Sequence, residues 1–512
     1  MVVKKTLVGS LRWGVISDGL NYERWETPRL FCKADRIISN NRIHFHYRSG
    51  DLTIPVSNYD QGLKMISAKV QTSITNMKNG NKNKLHTADS PIHSWYQFVL
   101  GYPPHLVQQY LSKFEITRHN IVLDPFCGTG TTPVECMKCH ISNYGIEANR
   151  MAFFASTVKT DLSIDPLFLS DELGFISNSA ALSFKRFKLK DSFPLISEFD
   201  SNKKPVALDD IPSLTPEQIK IIPTGFISEK PLQKVLILKA IINEIEDEKS
   251  RNLFTLSLAN LIVKRAGNVG FGPEVYRKPA KPDVDILNYF ISNSNQMIQD
   301  IAKFKNGRNI TQIINGDSRN IANCLDSTLL GKIDCIITSP PYPNEKDYTR
   351  STRLESVILG FIQDKKELRL MKENLLRSNS RNIFINDKDS EYVKEFPSIE
   401  NLANEIEEKR ISLNKDSGFE KMYHKIVRHY FGGMYLHLKS LKPFLSPSAK
   451  LAYVVGDQMS FFQTYIPTAD LLGEVAESLG YHIIDIELWR TRYATVTSKR
   501  INENVIILEN TR

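Results

Sequence analysis

Cysteine and long apolar runs are both scarce in this chain. Six cysteines among 512 residues are too few for a disulfide-stabilised scaffold. No apolar run reaches the roughly 18 residues that a membrane-spanning helix needs, so we expect none. Residues 1–18 also lack the apolar core and cleavage site of a signal peptide. The composition predicts a globular, cytoplasmic protein with two or three domains, or with one domain that carries large insertions.

Acidic residues are missing from residues 61–88. The formal net charge is +9, and residues 1–120 hold 16 Lys and Arg against eight Asp and Glu. A one-sided basic segment favours a polyanion such as nucleic acid. The Asn-, Lys- and Gly-rich stretch 75–87 is equally typical of a solvated linker, so both interpretations stay open. The candidate DNA contacts in this segment are Lys64, Lys69, Lys78, Lys82 and Lys84.

Predicted strands and helices alternate in two separate blocks of the chain. Such β-α-β units predict an α/β protein with a doubly wound, mostly parallel sheet, in which ligands bind at the carboxyl ends of the strands. Helical stretches interrupt this pattern twice, and a further helix is predicted over 319–330. The predicted divisions are a basic N-terminal region (1–88), the first half of the sheet (89–160), a mainly helical insertion (161–305), the second half of the sheet (306–350), a second helical insertion (351–440) and the C-terminal strands (441–512).

A glycine-rich turn with the sequence DPFCGTGTT follows the first predicted strand of the sheet. Gly128 and Gly130 allow a tight turn and a close backbone approach to a ligand. Glu147 ends the next strand, a spacing from Asp124 that is typical of a carboxylate bound to ribose hydroxyls. The turn fits neither a dinucleotide fingerprint nor a P-loop, and Asp124 would repel phosphate. A cationic nucleoside without phosphates, such as S-adenosylmethionine, fits this pattern.

A second unusual turn, with the sequence TSPPY, ends a later apolar strand. Its two prolines fix the backbone, so a substrate group held there loses little further entropy. The Ser339 hydroxyl and the Pro340 carbonyl could accept the two N–H bonds of an exocyclic amine. Tyr342 offers a flat face to an extruded base. The alternative is a strand exit that prolines merely stiffen.

Together, the two turns resemble the motifs of the DNA amino-methyltransferases, which methylate exocyclic amines with S-adenosylmethionine. The serine version of the second motif is similar to that of the cytosine-N4 enzymes, whereas Asp or Asn is commoner in the adenine-N6 enzymes. The stretch SWYQFVLGYPPHLVQQYL resembles the segment that closes over the methionine part of the cofactor in permuted members. The resemblance covers about half the chain, namely residues 90–150, 310–350 and 440–510.

The resemblance implies a role for each motif residue. It assigns catalysis to Ser339, Pro340, Pro341 and Tyr342. It assigns cofactor binding to Asp124, Pro125, Phe126, Gly128, Gly130, Thr131, Glu147 and Asp317, the last at the position that contacts the adenine. It implies methylation of cytosine N4 on a flipped-out base of double-stranded DNA, in a restriction-modification system with a cognate endonuclease. Adenine-N6 methylation, an RNA amine methyltransferase and a non-catalytic DNA-binding module stay open as alternatives.

Several arginines follow the second turn closely. Arginine pairs well with guanine edges and phosphates, so DNA contact is predicted for Arg350, Arg353, Arg377 and Arg381. Ordinary helix-surface charges would give the same pattern, and either insertion could read the target sequence. No metal is expected, because the Cys and His residues of the stretch 127–140 lack a second ligand pair at zinc-finger spacing.

Overall fold

The computed structural model describes the strand backbones between residues 12 and 55, together with residues 84–97, 101–192, 201–272, 274–304, 309–493 and 500–511. The chain divides into two units, residues 1–84 and residues 85–512. Of the lysines predicted to contact DNA, Lys64, Lys69, Lys78 and Lys82 lie outside the described residues. Lys84 is described and is exposed.

The first unit contains a five-stranded antiparallel sheet in which each strand pairs with the next along the chain. The alternating sequence RIHFHY forms the fourth strand, and the fifth returns against it with Ile54 opposite Ile43. Alternation of this kind is typical of a strand whose two faces meet different surroundings. The strands are β1 (Arg12–Val15), β2 (Asn21–Glu26), β3 (Lys33–Ser39), β4 (Arg42–Tyr47) and β5 (Gly50–Pro55).

The second unit is built on a seven-stranded sheet with the order β10-β7-β6-β11-β12-β16-β15. The first five strands in this order are parallel, and β16 is antiparallel to both of its neighbours. The predicted doubly wound, mostly parallel sheet is therefore confirmed. Its strands are β6 (Ile121–Asp124), β7 (Ser142–Glu147), β10 (Thr311–Asn315), β11 (Ile333–Thr338), β12 (Leu445–Gly456), β15 (Tyr481–Tyr493) and β16 (Arg500–Asn510). Two small hairpins are formed by β8 (Val269–Phe271) with β9 (Val275–Arg277), and by β13 (Gln458–Ser460) with β14 (Thr464–Ile466).

Helices cover the sheet and form the two insertions. The helices of the sheet's first half are α1 (Pro104–Lys113), α2 (Thr131–Lys138) and α3 (Arg150–Thr160). The first insertion holds α4 (Pro166–Arg186), α5 (Pro216–Ile221), α6 (Glu229–Asn243), α7 (Glu248–Leu261) and α8 (Leu287–Lys303). The later helices are α9 (Tyr348–Ser351), α10 (Arg353–Leu359), α11 (Lys365–Glu373), α12 (Pro397–Ser412), α13 (Tyr423–Leu441) and α14 (Thr468–Ser478). No described helix has the length and apolar character needed to cross a membrane.

The two faces of the sheet are buried by different helices, because successive side chains of a strand point in opposite directions. On one face, Leu123 and Ile336 pack in a core with Phe431 and other residues of α13. On the other face, the neighbouring residues Val122 and Ile337 pack with α1. The strand ends between these two cores are thereby held rigidly from both sides.

The helix predicted over 319–330 is wrong. The described chain forms only two short 3-10 turns there, Ile321–Asn323 and Ser327–Leu329. The side chain of Asp326 accepts a hydrogen bond from the Thr328 backbone N–H at 2.8 Å, which starts a new turn in the middle of the stretch. Asn and Asp side chains compete with the helix for backbone groups in this way.

Candidate active site

The site lies where the order of the sheet reverses. Strands β6 and β11 are neighbours in the sheet. The strands β7 and β10 lie on the far side of β6, and β12 lies on the far side of β11. Asp124 ends β6, and Ser339 directly follows β11. The hydroxyl of Thr338 donates a hydrogen bond to Asp124 Oδ1 at 2.6 Å. The two turns singled out in the sequence are thus joined directly, at the position where α/β sheets bind ligands.

Asp124 holds the first turn together from inside the protein. Its side chain is completely buried, and its carboxylate also accepts hydrogen bonds from the Tyr102 hydroxyl at 2.6 Å and from the Phe126 N–H at 3.1 Å. Burial raises the pKa of Asp124 to about 6, although the hydrogen bonds from Thr338 and Tyr102 oppose this shift. Tyr102 was not predicted as a site residue; it belongs to the aromatic stretch that precedes α1.

The glycine-rich turn is open on one side. Gly128 has φ +53°, and a Cβ atom placed on it would meet no atom within 4 Å. Gly130, with φ +87°, precedes α2 and approaches α3 so closely that a Cβ there would lie 2.7 Å from Ser156 Oγ. Thr131 is the first residue of α2. The free space beside Gly128 leaves room for a ligand against the turn.

Glu147 is placed beside this open side. Its Oε2 accepts a hydrogen bond from the Gly128 N–H at 2.8 Å, and its Oε1 accepts one from the Asn149 N–H at 2.7 Å. Burial raises the pKa of Glu147 to about 7, although these backbone hydrogen bonds oppose the shift. Each carboxylate oxygen keeps a further lone pair that could accept a hydroxyl.

Asp317 lies near the end of β10 and is paired with arginine. Arg319 donates hydrogen bonds to both Asp317 oxygens, at 2.6 to 3.1 Å, and also contacts Asp389 at 2.6 Å. The adjoining Ser318 hydroxyl donates to the carbonyl of Pro125, which joins the two strand ends. The Asp317 side chain remains about 25% exposed. The structure therefore brings Pro125, Phe126 and Asp317 to one edge, although Asp317 already has a cationic partner.

The second turn presents its serine and tyrosine toward the same edge of the sheet. The Ser339 hydroxyl donates to the Val454 carbonyl at 3.0 Å, so its lone pairs remain available as acceptors. Pro340 is buried and Pro341 is half-buried. The Tyr342 backbone N–H donates to the Tyr348 hydroxyl at 3.0 Å, which fixes the end of the turn.

Sequence reasoning missed the polar groups that hold the Tyr342 side chain. The Tyr342 hydroxyl donates to Glu503 Oε1 at 2.8 Å, and Arg490 pairs with the other Glu503 oxygen. Burial and the Glu503 carboxylate raise the pKa of Tyr342 well above its usual range. A Cβ atom on Gly456 would lie 2.9 Å both from the Tyr342 ring and from Arg492, so glycine makes room for the pair. The antiparallel pairing of β16 with both β12 and β15 brings Gly456, Glu503 and Arg490 together, and no local motif signals it.

One of the four arginines predicted to bind DNA is instead buried in an ion pair within the protein. Arg377 is 3% exposed, and its guanidinium makes two hydrogen bonds to Asp387, at 2.6 and 2.8 Å, and others to backbone carbonyls. It is a structural residue of the second insertion, so the predicted DNA contact by Arg377 is withdrawn. Arg381 is exposed, whereas Arg350 and Arg353 are half-buried.

Burial keeps the two cysteines nearest the first turn in the protonated thiol form. Cys127 and Cys136 are buried, and burial raises the pKa of both thiols well above the usual range. Within the part of the chain that the structure describes, no group of three or more His, Cys, Asp or Glu side chains is arranged to hold a metal ion.

The doubly wound sheet, whose order reverses between the two turns and whose faces are both covered by helices, is an α/β, Rossmann-like fold, and the relatives of the chain identify it as the methyltransferase form. No protein-family profile matches the chain. The chain is similar to the type II methyltransferase M.BsoBI of Geobacillus stearothermophilus, with 23% identity over 433 residues, which are 78% of this chain and 81% of that protein. It is 21% identical over 432 residues to the type II methyltransferase M.AvaI of Nostoc sp., with 77% and 80% covered. A shorter match, 24% over 322 residues, is with the type II methyltransferase M.MjaII of Methanocaldococcus jannaschii, with 50% and 60% covered.

Proposed function

We propose that this protein is a DNA methyltransferase that transfers a methyl group from S-adenosylmethionine to the N4 amine of cytosine at a specific site. The observation that carries the proposal is the hydrogen bond between Thr338 and Asp124, 2.6 Å long, at the reversal point of the sheet. It joins a turn suited to a cationic nucleoside to a turn suited to an exocyclic amine. Neither turn alone would specify methyl transfer, whereas their direct contact favours it.

The residues of the first turn fit the proposed cofactor. Glu147 would accept the ribose hydroxyls, and the open side of Gly128 gives the nucleoside room against the backbone. Phe126 and Asp317 would border the adenine, and Asp124, Gly130 and Thr131 would keep the turn and the start of α2 in place. When bound, S-adenosylmethionine supplies a methyl group on a positively charged sulfur. The acidic character of this end of the sheet suits that charge.

The second turn would orient the target amine. The Ser339 hydroxyl donates its hydrogen bond to the Val454 carbonyl, so the hydroxyl oxygen can accept an amine N–H. The Pro340 carbonyl would accept the other N–H, which turns the nitrogen lone pair out of conjugation with the base. The Tyr342 ring would stack on the extruded base, with its hydroxyl held by Glu503. No strong base is required, because the ammonium-like product loses its proton readily.

The choice of substrate rests on two supports of different kinds. "Type II" is the designation of restriction-modification enzymes, so the names of the relatives favour duplex DNA and a cognate restriction endonuclease as partner. Serine at position 339 favours cytosine N4 over adenine N6, by resemblance to the amino-methyltransferase motifs. Adenine N6 in DNA and an amine of RNA are the alternatives.

Mass spectrometry of nucleosides would test the proposal. Purified protein is incubated with S-adenosylmethionine and either mixed-sequence duplex DNA or bulk RNA. We expect N4-methylcytosine in the DNA only. N6-methyladenine would overturn the assignment of the base, and a product confined to RNA would overturn the assignment of the nucleic acid. Genomic DNA of varied composition guards against the absence of the target site.

A matched pair of serine variants tests the second turn. Ser339→Ala removes the proposed acceptor, and we expect the methylation rate to fall by roughly 100-fold or more with the affinity for the cofactor unchanged. Ser446→Ala is the control, because the Ser446 hydroxyl makes a comparable hydrogen bond, 2.9 Å long, to Asp334 near the start of β11. Full activity of Ser339→Ala would remove serine from the proposed mechanism.

A further inference from the structure

Five cations lie around the second turn without an ion-pair partner among the residues that the structure describes. Lys346, Arg350 and Arg353 follow the turn in the chain, Arg381 comes from the second insertion and Arg492 from β15. None of the five forms an ion pair with a described residue, whereas ion pairs are made by Arg319, Arg377, Arg410, Arg428 and Arg490. We call the five the cation cluster: Lys346, Arg350, Arg353, Arg381 and Arg492.

Contacts with neighbouring residues place these side chains beside the catalytic turn. The Arg492 guanidinium lies 6.0 Å from the centre of the Tyr342 ring. The Asn379 side chain donates to the Lys346 carbonyl at 3.1 Å, which ties the loop after the turn to the segment that carries Arg381. Thr349, between Lys346 and Arg353, accepts a hydrogen bond from Arg353 Nη2 at 2.7 Å.

Two of the guanidinium groups have a donor that no described residue accepts. Arg353 Nε and Arg492 Nε are both buried from solvent, and neither has a hydrogen-bond partner among the described residues. Buried donors without acceptors are costly, typically about 1–3 kcal/mol each, and therefore uncommon in a finished fold. Because both of these arginines lie beside the same turn, their unused donors are available to an acceptor that arrives with the substrate.

The charges in the cluster also act on one another. Burial lowers the pKa of Lys346 and the charge of Arg492 lowers it further, whereas Glu274 and Glu503 oppose the shift. Burial likewise lowers the pKa of Arg353; Asp347 opposes this shift, and Arg350 and Arg381 add to it. Like charges held together are unfavourable until an anion binds between them.

Nearby carboxylates neutralise only part of the charge of the cluster. Asp347 is paired with Lys372 at 2.8 Å, and Glu503 is paired with Arg490. Glu274 and Glu345 form no ion pair with a described residue, so counting both against the five cations leaves an excess of three positive charges. The position of this excess, around the turn that would hold the target base, matches a nucleic-acid backbone rather than a small anion.

We infer that the cation cluster is a phosphate-binding site that grips the DNA backbone next to the extruded nucleotide. This inference rests on the proposed function and extends it. It adds Lys346 and Arg492 to the predicted contacts, and it assigns the cluster to phosphates rather than to base edges. Binding there positions the target strand and carries no sequence information, which leaves sequence recognition to other parts of the chain.

Salt dependence of DNA binding tests the inference without any methyl transfer. The affinity for a fluorescein-labelled 20-base-pair duplex is measured by anisotropy between 50 and 300 mM KCl. Arg350→Gln, Arg381→Gln and Arg492→Gln are each expected to weaken binding about three- to tenfold and to reduce the slope of log K against log [salt] by about 0.9. The reduction should be the same for duplexes of unrelated sequence.

The control is an arginine of the same insertion that already has a partner. Arg369 is 68% exposed and pairs with Glu373 at 3.1 Å, so Arg369→Gln should leave the slope unchanged. Arg350→Lys should keep the slope, because a point charge suffices for a phosphate contact. Thermal denaturation of each variant checks that the fold is intact, and the Arg350 and Arg381 variants carry the test if Arg492→Gln is unstable.

The outcomes separate this inference from the proposed chemistry. Unchanged slopes in all the Gln variants would overturn the phosphate site even if the protein methylates DNA. A loss of affinity with an unchanged slope would overturn it too, since it would indicate contacts to bases. Effects seen with RNA and not with DNA would overturn the choice of partner. Reduced slopes in a protein that makes no N4-methylcytosine would support the phosphate site and refute the proposed reaction.

Discussion

The two halves of the site treat their charged groups in opposite ways. In the first half, at the ends of β6, β7 and β10, the side chains of Asp124, Glu147 and Asp317 all accept hydrogen bonds from the protein itself. In the second half, beside β11 and β15, cations such as Arg350 and Arg492 have no anionic partner among the described residues. One half is rich in acids that the protein already holds by hydrogen bonds, and the other is rich in bases that form no ion pair with a described residue.

This difference teaches how one sheet edge could serve two ligands of opposite charge. A cationic cofactor gains from acids whose geometry is preorganised, because no reorganisation is needed when it binds. A polyanion gains from cations that are free to form their first ion pairs. Thr338 lies between the two halves of the site. Its hydroxyl donates a hydrogen bond to Asp124, and the next residue, Ser339, belongs to the second turn.

Removing Asp124 should have the largest effect, because it tests the preorganised half. Asp124→Ala removes the acceptor shared by three donors, those of Tyr102, Thr338 and Phe126. We expect a loss of roughly 3 kcal/mol in the free energy of unfolding and a fall of roughly 100-fold or more in the affinity for S-adenosylmethionine. Thermal denaturation and titration calorimetry measure the two effects.

The opposite end of strand β11 offers a matched control. Asp334 accepts hydrogen bonds from the Ile121 N–H and the Ser446 hydroxyl, each at 2.9 Å, far from the proposed ligands. Asp334→Ala should reduce stability by about 1–3 kcal/mol and leave the affinity for the cofactor within about twofold. Equal losses of affinity in both variants would mean that Asp124 acts on the whole fold rather than on the first turn.

Removing the hydrogen bond that holds the Tyr342 side chain should have the next largest effect. It tests how much the second half of the site depends on the position of this ring. Glu503→Ala and Tyr342→Phe both remove the hydrogen bond of 2.8 Å between these residues. A hydrogen bond to a charged group is worth about 1.5–3 kcal/mol, so each variant should lower kcat/KM for methylation by roughly 10- to 100-fold. The affinity for S-adenosylmethionine should not change.

The double variant distinguishes positioning from an independent role of Glu503. If Glu503 acts only through the Tyr342 hydroxyl, Tyr342→Phe combined with Glu503→Ala should be no worse than either single variant. Glu503→Gln, which keeps an acceptor for the hydroxyl, should recover much of the activity. Additive losses would show that Glu503 has a second role, for which its pairing with Arg490 is the structural candidate.

Sequence reasoning found the parts of the site that are encoded locally. Asp124, the two glycines and Glu147 lie at strand ends within one β-α-β unit, so their spacing alone predicts that they meet. The contact between the first and second turns follows from the parallel pairing of β6 with β11; the alternation of strands and helices predicts a parallel sheet but not this pairing. The strands themselves were recognisable because their apolar runs are short and bounded by turn residues.

What could not be predicted depends on contacts between distant segments. Arg377 and Arg381 look alike in sequence, yet only Arg377 is buried, because Asp387 lies within reach of its guanidinium. Glu503 reaches Tyr342 through the antiparallel return of β16, which no spacing rule gives. The helix predicted over 319–330 failed because Asp326 caps a turn within it, a local competition that apolar periodicity does not register.

The smallest of the expected effects is a dependence on pH. It tests whether Glu147, in the first half of the site, changes its protonation state near neutral pH. Glu147 has a pKa of about 7 as a result of burial, so near neutral pH only half of the molecules carry its negative charge. Two ribose hydroxyls need an acceptor-only carboxylate, and the protonated form offers one donor instead. The affinity for S-adenosylmethionine should therefore fall about tenfold as the pH is lowered from 8 to 6.

Stability should change in the opposite direction over the same range. Because the pKa of Glu147 is higher in the folded protein than its ordinary value of 4.5, the folded state binds the proton more tightly than the unfolded chain. Lowering the pH from 8 toward 4.5 should thus stabilise this region while it weakens cofactor binding. Glu147→Gln should abolish both dependences near pH 7 and leave the contribution of Asp124, whose pKa is about 6. Calorimetric titrations at half-unit steps measure the first effect, and denaturation midpoints measure the second. An affinity that does not change between pH 6 and 8 would show that Glu147 is already ionised in the free protein, or that it does not bind the ribose.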